Sequence, residues 1–361
     1  MTAARRVAVA MSGGVDSAAT AALLAEQGYR VRGLTARFWR EQETDADIAS
    51  ARAVCDHLGI THEVIDLREA FYQAVVRRFV SDYAAARTPN PCICCNQELK
   101  FGLLLNHALA AGDELLATGH YARIVADSSG WQLLRGVDAS KDQSYFLYML
   151  DQKRLSRLLL PLGVWRKTDL IVWATARGLP AASRGESQDV CFIADGDYRR
   201  FLGEHAPQAL QPGPILDAKG RTLGQHRGLA LYTVGQREGL GIAVGQPLYV
   251  TELDAERNAL VVGPAAGLGS HALLAADLTF IAGSPPAPGV ELQAKIRSRA
   301  RPVACWLRMQ SADTARVEFA ESLRDVAPGQ AIVVYNGDAV IGGGTIVRAL
   351  PAQDAMRLTT C

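Results

Sequence analysis

The stretch Ala10-Met11-Ser12-Gly13-Gly14-Val15-Asp16-Ser17 constrains this chain more than any other. Val7-Ala8-Val9-Ala10 reads as a short buried strand, and Ala18 to Gln27 is almost wholly strong helix formers closed by Gly28. A glycine-rich turn between a strand and a helix N-terminus presents backbone N–H groups that have no intrahelical acceptor, at the positive end of the helix dipole. Such a turn suits phosphate oxygens. Gly13 and Gly14 permit close approach, and the Ser12 and Ser17 hydroxyls add donors. An ordinary phosphate loop would need a lysine directly before the Ser or Thr, where Val15-Asp16 stands, and the pattern is not G-x-G-x-x-G either. A βα turn without a ligand is the plainer alternative, disfavoured because strand, glycines, acid and helix all agree.

A length of 361 residues leaves room for two or three domains, each with its own core. No apolar run is long enough to span a bilayer, and Met1 to Arg6 leads straight into the first strand, so a cytoplasmic protein with no membrane partner is expected. The net charge of +1 does not announce a nucleic-acid binder, and any RNA contact must come from local basic patches. Seven cysteines in such a chain argue for reactive or metal-binding thiols over structural disulfides.

Strands over Tyr29 to Thr35 and His62 to Leu67, alternating with a helix over Ala46 to Leu58, predict a parallel, doubly wound α/β sheet with ligands above the carboxyl ends of its strands. Ala36, just after the second strand, is placed to pass beneath a bound nucleotide, and Cys55 reads as core. A long helix from Glu69 to about Arg87 leads into Thr88-Pro89-Asn90-Pro91-Cys92-Ile93-Cys94-Cys95-Asn96. Helix is expected again from Gln97 to Ala111, which sets Cys95 near an N-terminus, where a thiol pKa falls. Cys92 and Cys95 form C-x-x-C, a redox pair or half a zinc site, yet no second pair is present to complete a structural zinc site. Asp113 to Gly119 predicts a fourth strand, ending in Thr118-Gly119-His120-Tyr121 at the ligand-bearing edge.

After a hairpin, Lys141-Asp142-Gln143 ahead of an aromatic run is either a helix N-terminus packed on the core or a turn that contacts base and phosphate. Short helices follow near Asp151 to Leu159 and Lys167 to Arg177, then a strand over Glu186 to Ile193 carrying Cys191. Beyond about His205 the chain turns to glycine, proline and short β-rich runs suited to small barrels, with a hairpin over Gly213 to Leu223. Strands are expected over Val290 to Arg301, Val303 to Met309, Arg316 to Phe319 and Ala331 to Tyr335. In the first of these, Lys295, Arg297, Arg299 and Arg301 would share one face, as an edge-strand guard or, preferably, a ridge facing phosphates. The expected domains are 1–205, 206–270 and 271–361.

The ordered set S-G-G-V-D-S, T-P-N-P-C-x-x-C-N, A-T-G-H-Y, K-D-Q-S-Y-F-L, D-V-C-F-I, T-V-G-Q-R-x-G-L-G and the final Pro328-Gly329-Gln330, Tyr335-Asn336-Gly337 and Gly342-Gly343-Gly344 resembles the bacterial tRNA-specific 2-thiouridylase family over essentially the whole chain. The first motif alone is similar to the loop of ATP pyrophosphatases, which form adenylates. The resemblance implies an adenine nucleotide α-hydrolase-like domain followed by two β-rich barrels, and ATP-dependent 2-thiolation of the wobble uridine in tRNAs for lysine, glutamate and glutamine. By that resemblance Ala10 to Ser17 with Ala36 and Gly119 would hold ATP, with Mg²⁺ near Asp16. Asn90, Pro91 and Cys92 would surround the target base, and His120, Lys141, Asp142, Gln143, Arg297, Ser298 and Gln330 would touch tRNA. Cys95 matches the nucleophile and Cys191 the persulfide carrier, supplied by a cysteine desulfurase or sulfur-relay protein.

Some members of that family carry aspartate at the position of Cys92. Its replacement raises a second expectation, that Cys92, Cys95 and Cys191 ligate a [4Fe–4S] cluster. Cys94 reads as a bystander and Cys361 as a terminal thiol. The competing readings are an amide- or arginine-type synthetase, which gives no role to paired cysteines, and a catalytically silent RNA-binding module, for which the intact polar loop would be superfluous.

Overall fold

The computed structural model describes residues 4–350 except 40, 181–189, 194 and 243. Strands in the first half of the chain are β1 (Arg6–Ala10), β2 (Arg30–Arg37), β3 (His62–Asp66), β4 (Leu115–Ala117), β5 (Ala122–Asp127), β6 (Gly130–Arg135) and β7 (Leu158–Leu159). They form a five-stranded parallel sheet in the order β3-β2-β1-β4-β7, with β5 and β6 leaving it as a hairpin. The chain starts at the centre, winds outward through β2 and β3, and returns to the other side of β1 as β4. The reversal opens a crevice above the carboxyl ends of β1 and β4, the usual ligand position in such sheets. The expected doubly wound sheet is therefore present.

Helix α1 (Val15–Glu26) follows β1 and buries Val15, Ala18, Ala21, Ala22 and Leu24 on the sheet, and Gly28 ends it with φ +83°. Helix α2 (Glu41–Leu58) adds Ala51, Val54 and the fully buried Cys55 to the same core, as read from sequence. Strand β2 runs two residues beyond the expected end, so Ala36 lies within it, paired with Ile65.

The middle segment folds into β8 (Gly213–Asp217), β9 (Thr222–His226), β10 (Tyr249–Asp254) and β11 (Ala259–Gly263), in the order β10-β11-β8-β9. The last segment holds β12 (Ser270–Phe280), β13 (Leu292–Lys295), β14 (Val303–Met309), β15 (Ala315–Leu323), β16 (Ala331–Asn336) and β17 (Ala339–Leu350), closed into a barrel by pairing of β12 with β17. The hairpin joins this barrel where Leu134 of β6 faces Ala339 of β17. Strand β16 is buried on both faces: Ile332 and Val334 fill the barrel, while Val333 and Tyr335 belong to the core shared with the parallel sheet. Its unbroken apolar run Ala331-Ile332-Val333-Val334-Tyr335 records that double burial.

Two expected strands are corrected. The one over Val290 to Arg301 shrinks to β13 and gives way to a turn in which the Ala300 N–H donates to the Arg297 carbonyl. Arg297, Arg299 and Arg301 therefore do not share a strand face with Lys295, and Arg301 pairs with Glu321 at 2.5 Å. Val190 to Ile193 is a turn pinned by an Ile193 N–H to Val190 carbonyl bond, whereas 186–189 lie outside the described residues. Cys361 also lies outside them.

The glycine triplet near the end is explained by close packing. A side chain on Gly343 would meet the Ile332 carbonyl at 2.5 Å and the Tyr148 ring at 2.8 Å, and Gly344 presses on the Ala276 carbonyl at 2.6 Å. Tyr148 belongs to the core of the parallel-sheet segment, so Gly343 sets how closely barrel and sheet approach. Gly343→Ala is expected to lower stability by about 1–3 kcal/mol, read as a shift in the chemical denaturation midpoint; an unchanged midpoint would show that the seam yields freely.

Candidate active site

At the end of β1 the chain turns through Gly13 (φ +77°) into α1, whose N-cap is Gly14 and whose start carries no side-chain cap. Donors behind the turn brace it. Thr35 Oγ1 donates to the Met11 carbonyl at 3.0 Å, Ser50 Oγ to the Gly13 carbonyl at 2.8 Å, and Ser17 Oγ to the Gly14 carbonyl at 3.0 Å. The Ser12 N–H donates to Ser17 Oγ at 3.2 Å. With these carbonyls drawn inward, the N–H groups at the helix start are left to face the crevice. Ser17, expected to reach toward phosphate, is buried and works inside the loop.

Asp16 is held by two residues that the sequence did not single out. Lys167, first residue of the helix Lys167–Ala176, donates from Nζ to Asp16 Oδ1 at 2.7 Å, and the Tyr121 hydroxyl donates to the same oxygen at 2.8 Å. Lys167 is only 6% exposed. A loop with no lysine in its own sequence thus acquires one in space, from 151 residues farther along. Gly119 completes the contact: a side chain there would meet the Asp16 backbone at 3.0 Å. Gly119, expected to help hold ATP, thus lies directly against the loop.

His120, the next residue, was expected at an RNA surface but is buried, its Nδ1 hydrogen-bonded to the Thr118 hydroxyl at 2.7 Å and its ring 5.6 Å from that of Phe101. Burial, aided by the charge of Lys100, drives its pKa well below the usual histidine range, so the imidazole is neutral. Asp142 and Gln143 are also engaged internally. Asp142 Oδ1 accepts from the N–H groups of Gly136 and Ser144, each at 3.1 Å, and Gln143 Oε1 accepts from the Tyr121 N–H at 2.9 Å. Of the two sequence readings for this turn, packing on the core describes these two side chains. Gln143 thereby fixes Tyr121, and Tyr121 fixes Asp16.

The thiols lie on one helix and one turn. The helix begins at Pro91 with Asn90 as its N-cap, passes into π geometry over Cys95–Leu104 and continues over Leu105–Ala110. Pro91 starts this helix instead of ending the previous one, because a first-turn proline forfeits no hydrogen bond. Cys95 consequently sits past the first turn, inside a cluster with Leu99, Phe79, Phe192 and Phe201. The expected low pKa is reversed: burial pushes the Cys95 thiol up to about 12, Lys100 pulls it down, and Cys191, Cys92 and Cys94 push it further up. Cys92 and Cys191 are exposed, yet desolvation by the surrounding protein raises both thiols, with Lys100 opposing in each and Cys92 adding to the rise at Cys191. The positive charge of Lys100 therefore acts on Cys92, Cys95, Cys191 and His120 alike.

Phe192 anchors Cys191. Its ring stands 5.2 Å from Phe79, 5.4 Å from Phe201 and 5.7 Å from Phe71, all edge-on, which locks the turn carrying Cys191 into the same apolar cluster as Cys95. Cys94 faces elsewhere, donating to the Ala74 carbonyl at 2.9 Å, in keeping with a bystander. The six described cysteines are all free, and among the described residues no group of three or more His, Cys, Asp or Glu is disposed to hold a metal ion. In a [4Fe–4S] cluster each thiolate binds a different iron, so the three thiols would have to converge on one point, and as they stand Cys92, Cys95 and Cys191 are not disposed to do so.

The approach to this helix is clamped by the barrel. Gln330 Nε2, expected at tRNA, donates to the carbonyls of Thr88 at 3.0 Å and Pro89 at 3.2 Å, and the Thr88 N–H donates to the Pro328 carbonyl at 2.8 Å. Gly329, at φ +89°, would strike the Thr88 backbone at 2.9 Å if it carried a side chain. Arg297 is likewise spent inside, donating to the Asp325 carbonyl at 3.0 Å.

Three family models follow one another along the chain: a tRNA methyl transferase HUP domain over residues 5–195, a tRNA methyl transferase PRC-barrel domain over 199–264 and an aminomethyltransferase beta-barrel domain over 270–346. The tRNA-specific 2-thiouridylase MnmA of Roseiflexus sp. (strain RS-1) is 46% identical over 370 residues, spanning 95% of this chain and 99% of that one. The chain belongs to the tRNA-specific 2-thiouridylase family. The MnmA of Magnetococcus marinus, 47% identical, spans 96% of this chain and is itself covered completely, at 100%. Among solved structures, the U34-tRNA thiolase NcsA from Methanococcus maripaludis with its [4Fe-4S] cluster is similar over 56% of this chain and 68% of that one, at 16% identity and a TM-score of 0.35. That likeness is too slight to carry an argument. Membership in the 2-thiouridylase family agrees with the resemblance read from the motifs and with the expected order of an α/β domain and two β-rich ones. No helix among the described residues is long and apolar enough to cross a membrane.

A thiol with its pKa near 12 is almost wholly protonated at neutral pH. Alkylation of Cys95 in the free protein should keep rising between about pH 8 and about pH 10 with no plateau, and Lys100→Met should slow it by roughly tenfold. Peptide mass mapping after iodoacetamide checks this, and a plateau near neutrality would contradict the burial argument.

Proposed function

We propose that this tRNA sulfurtransferase replaces the 2-oxygen of the wobble uridine, in tRNAs of the lysine, glutamate and glutamine type, using ATP cleaved to AMP and pyrophosphate and a persulfide on Cys191. The observation that carries the reading is the continuity from loop to thiols: Asp16 packs on Gly119, His120 follows, and His120 shares Lys100 with Cys95 and Cys191. On this reading nucleotide and sulfur meet in one space above the sheet. The division into 1–205, 206–270 and 271–361 and a cytoplasmic location are carried with this reading.

The 2-carbonyl of uracil is a weak electrophile whose oxygen cannot leave unaided. The loop Ala10 to Ser17, with Ala36 and Gly119 beneath, would hold ATP so that the carbonyl oxygen attacks the α-phosphorus and pyrophosphate departs. Lys167 stands where it meets negative charge at the loop, and the Asp16 carboxylate is the residue type that would hold Mg²⁺ together with phosphate oxygens. When bound, that ion would neutralise charge on the leaving pyrophosphate. The uridine would be received beside Asn90, Pro91 and Cys92, which follow the Thr88 and Pro89 backbone that the barrel holds in place. Lys141 and Ser298 remain, on this reading, at the RNA-facing rim.

For the second stage, the terminal sulfur of the Cys191 persulfide adds to C2 and AMP leaves with the original oxygen. Cys95 sulfur then attacks Cys191 Sγ; the S–S bond breaks, its electron pair passes to the sulfur now on C2, and a Cys95–Cys191 disulfide forms. Two electrons from an external dithiol, and sulfur from a desulfurase or relay protein, restore the carrier. The raised thiol pKa suits this order: Cys95 stays protonated and unreactive until the site is occupied.

Incubation with ATP and tRNA should release pyrophosphate only when tRNA is present, and nucleoside mass analysis should find 2-thiouridine. Cys95→Ser and Cys191→Ser should each abolish 2-thiouridine while leaving pyrophosphate release largely intact, whereas Lys167→Met should lower pyrophosphate release by about 10²-fold. Tight tRNA binding with no AMP formed by the wild type would point instead to a binding module.

A further inference from the structure

Two separate arms reach the Asp16 carboxylate, and both start from one turn. That turn, 138–143, follows the β5–β6 hairpin and is tied across its width by the Lys141 N–H, which donates to the Asp138 carbonyl at 3.0 Å. From its far end Gln143 grips Tyr121 twice: Gln143 Oε1 accepts from the Tyr121 N–H, and the Gln143 N–H donates to the Tyr121 carbonyl, each at 2.9 Å. Tyr121, only 3% exposed, then donates from its hydroxyl to Asp16 Oδ1 at 2.8 Å. From the near end Asp138 Oδ2 accepts from the Lys167 N–H at 3.0 Å, at the start of a helix whose own N-cap, Arg166, supplies no side-chain acceptor. Lys167 Nζ donates to the same Asp16 Oδ1 at 2.7 Å and lies 5.7 Å from the centre of the Tyr121 ring, so the two arms also touch each other.

The arms converge on one oxygen and leave the other alone. Asp16 Oδ2 accepts no hydrogen bond among the described residues, although the side chain is 32% exposed in the first turn of α1. Gly119, where an added side chain would meet the Asp16 Cβ at 2.9 Å, closes a further side. A carboxylate held through Oδ1 offers Oδ2 in one fixed direction, with its rotamer entropy already spent in folding. Among the described residues no three His, Cys, Asp or Glu are grouped to hold a metal ion. A cation at Asp16 would therefore be shared between one carboxylate oxygen, phosphate oxygens and water, the usual manner of binding Mg²⁺.

We propose that Tyr121 and Asp138 are positioning residues that aim Asp16 Oδ2 at the divalent cation carried by ATP, a reading that rests on the nucleotide chemistry proposed above. Tyr121 acts directly on Asp16, and Asp138 acts through Lys167. The other oxygen of Asp138 is taken up by Ser140, through its N–H at 3.0 Å and its hydroxyl at 2.6 Å, so the whole Asp138 carboxylate is spent inside the protein. The turn that the sequence offered as an RNA contact thereby acquires a role in the ATP step.

The test is Mg²⁺ titration at saturating ATP and tRNA, followed by pyrophosphate release, for the wild type, Tyr121→Phe, Asp138→Ala and Asp138→Asn. ATP affinity is measured beside it with Mg²⁺ and in EDTA, together with melting temperature. Tyr121→Phe and Asp138→Ala should each raise the half-saturating Mg²⁺ concentration by roughly tenfold, with the rate at saturating Mg²⁺ falling far less. ATP affinity should weaken with Mg²⁺ present and stay unchanged in EDTA. Asp138→Asn keeps an oxygen for the Lys167 N–H and should recover most of the wild-type response. An unmoved Mg²⁺ response, or a tighter one, would overturn the proposal, since the lost donor would then have freed the carboxylate instead of misaligning it. Equal loss of ATP affinity with and without Mg²⁺ would overturn it as well, because the turn would then shape the loop and not aim the oxygen. A wild type that binds ATP with Mg²⁺ yet releases no pyrophosphate with tRNA would sink the reaction proposed above, while the comparison of Mg²⁺ with EDTA would still decide the role of Tyr121.

Discussion

The packing of Phe192 among Phe71, Phe79, Trp39 and Phe201 is the contact on which the rest of the site depends. Cys191 sits on a turn with no strand partner among the described residues, and a turn alone cannot fix a sulfur atom. The neighbouring ring, buried to 3% exposure and gripped on several sides, does so. Because the same aromatic cluster also buries Cys95, one interaction holds the turn that carries Cys191 and keeps water from Cys95. The cost of that dryness is the high thiol pKa, and Lys100 is the group placed to offset it.

A second constraint is that no part of the site belongs to one segment. The nucleotide loop depends on Lys167 and on Tyr121, which Gln143 positions from the turn after the hairpin. The hairpin pairs with the barrel through β17, and the barrel returns through Pro328, Gly329 and Gln330 to grip Thr88 and Pro89 ahead of the cysteine helix. Thr233 of the middle segment touches Thr88 at 3.4 Å, so all three segments meet at Thr88, just ahead of the Asn90 N-cap of that helix. A substrate that shifts the barrel would therefore shift the approach to the thiols with it.

What the sequence disclosed well was local. A strand, a glycine turn and an alanine-rich helix specify one another over about twenty residues, so the loop, the parallel sheet and the small barrels were all legible. What it disclosed poorly was set by distant contacts. Lys167 gave no signal beyond opening a helix, because its partner lies at the other end of the sheet sequence. Cys95 was misjudged electrostatically since its pKa follows from burial by Phe79, Phe192 and Phe201, none of them its neighbours in the chain. The row Lys295, Arg297, Arg299 and Arg301 looked like one strand face, yet the backbone turns after Lys295 and Arg297 is drawn to the Asp325 carbonyl. Motif residues expected at RNA, such as Gln330, Asp142 and Gln143, proved to hold the protein's own backbone, a role that spacing alone cannot distinguish from ligand contact.

The meeting of the two thiols is tested most directly by a single turnover. Protein carrying a persulfide on Cys191 would be mixed with ATP and tRNA, quenched at intervals with an alkylating agent, and mapped by mass for cross-linked peptides. A Cys95–Cys191 disulfide that grows in step with 2-thiouridine, in equal amount, is the expected result. Thiouridine formed while Cys95 stays fully open to alkylation would contradict it.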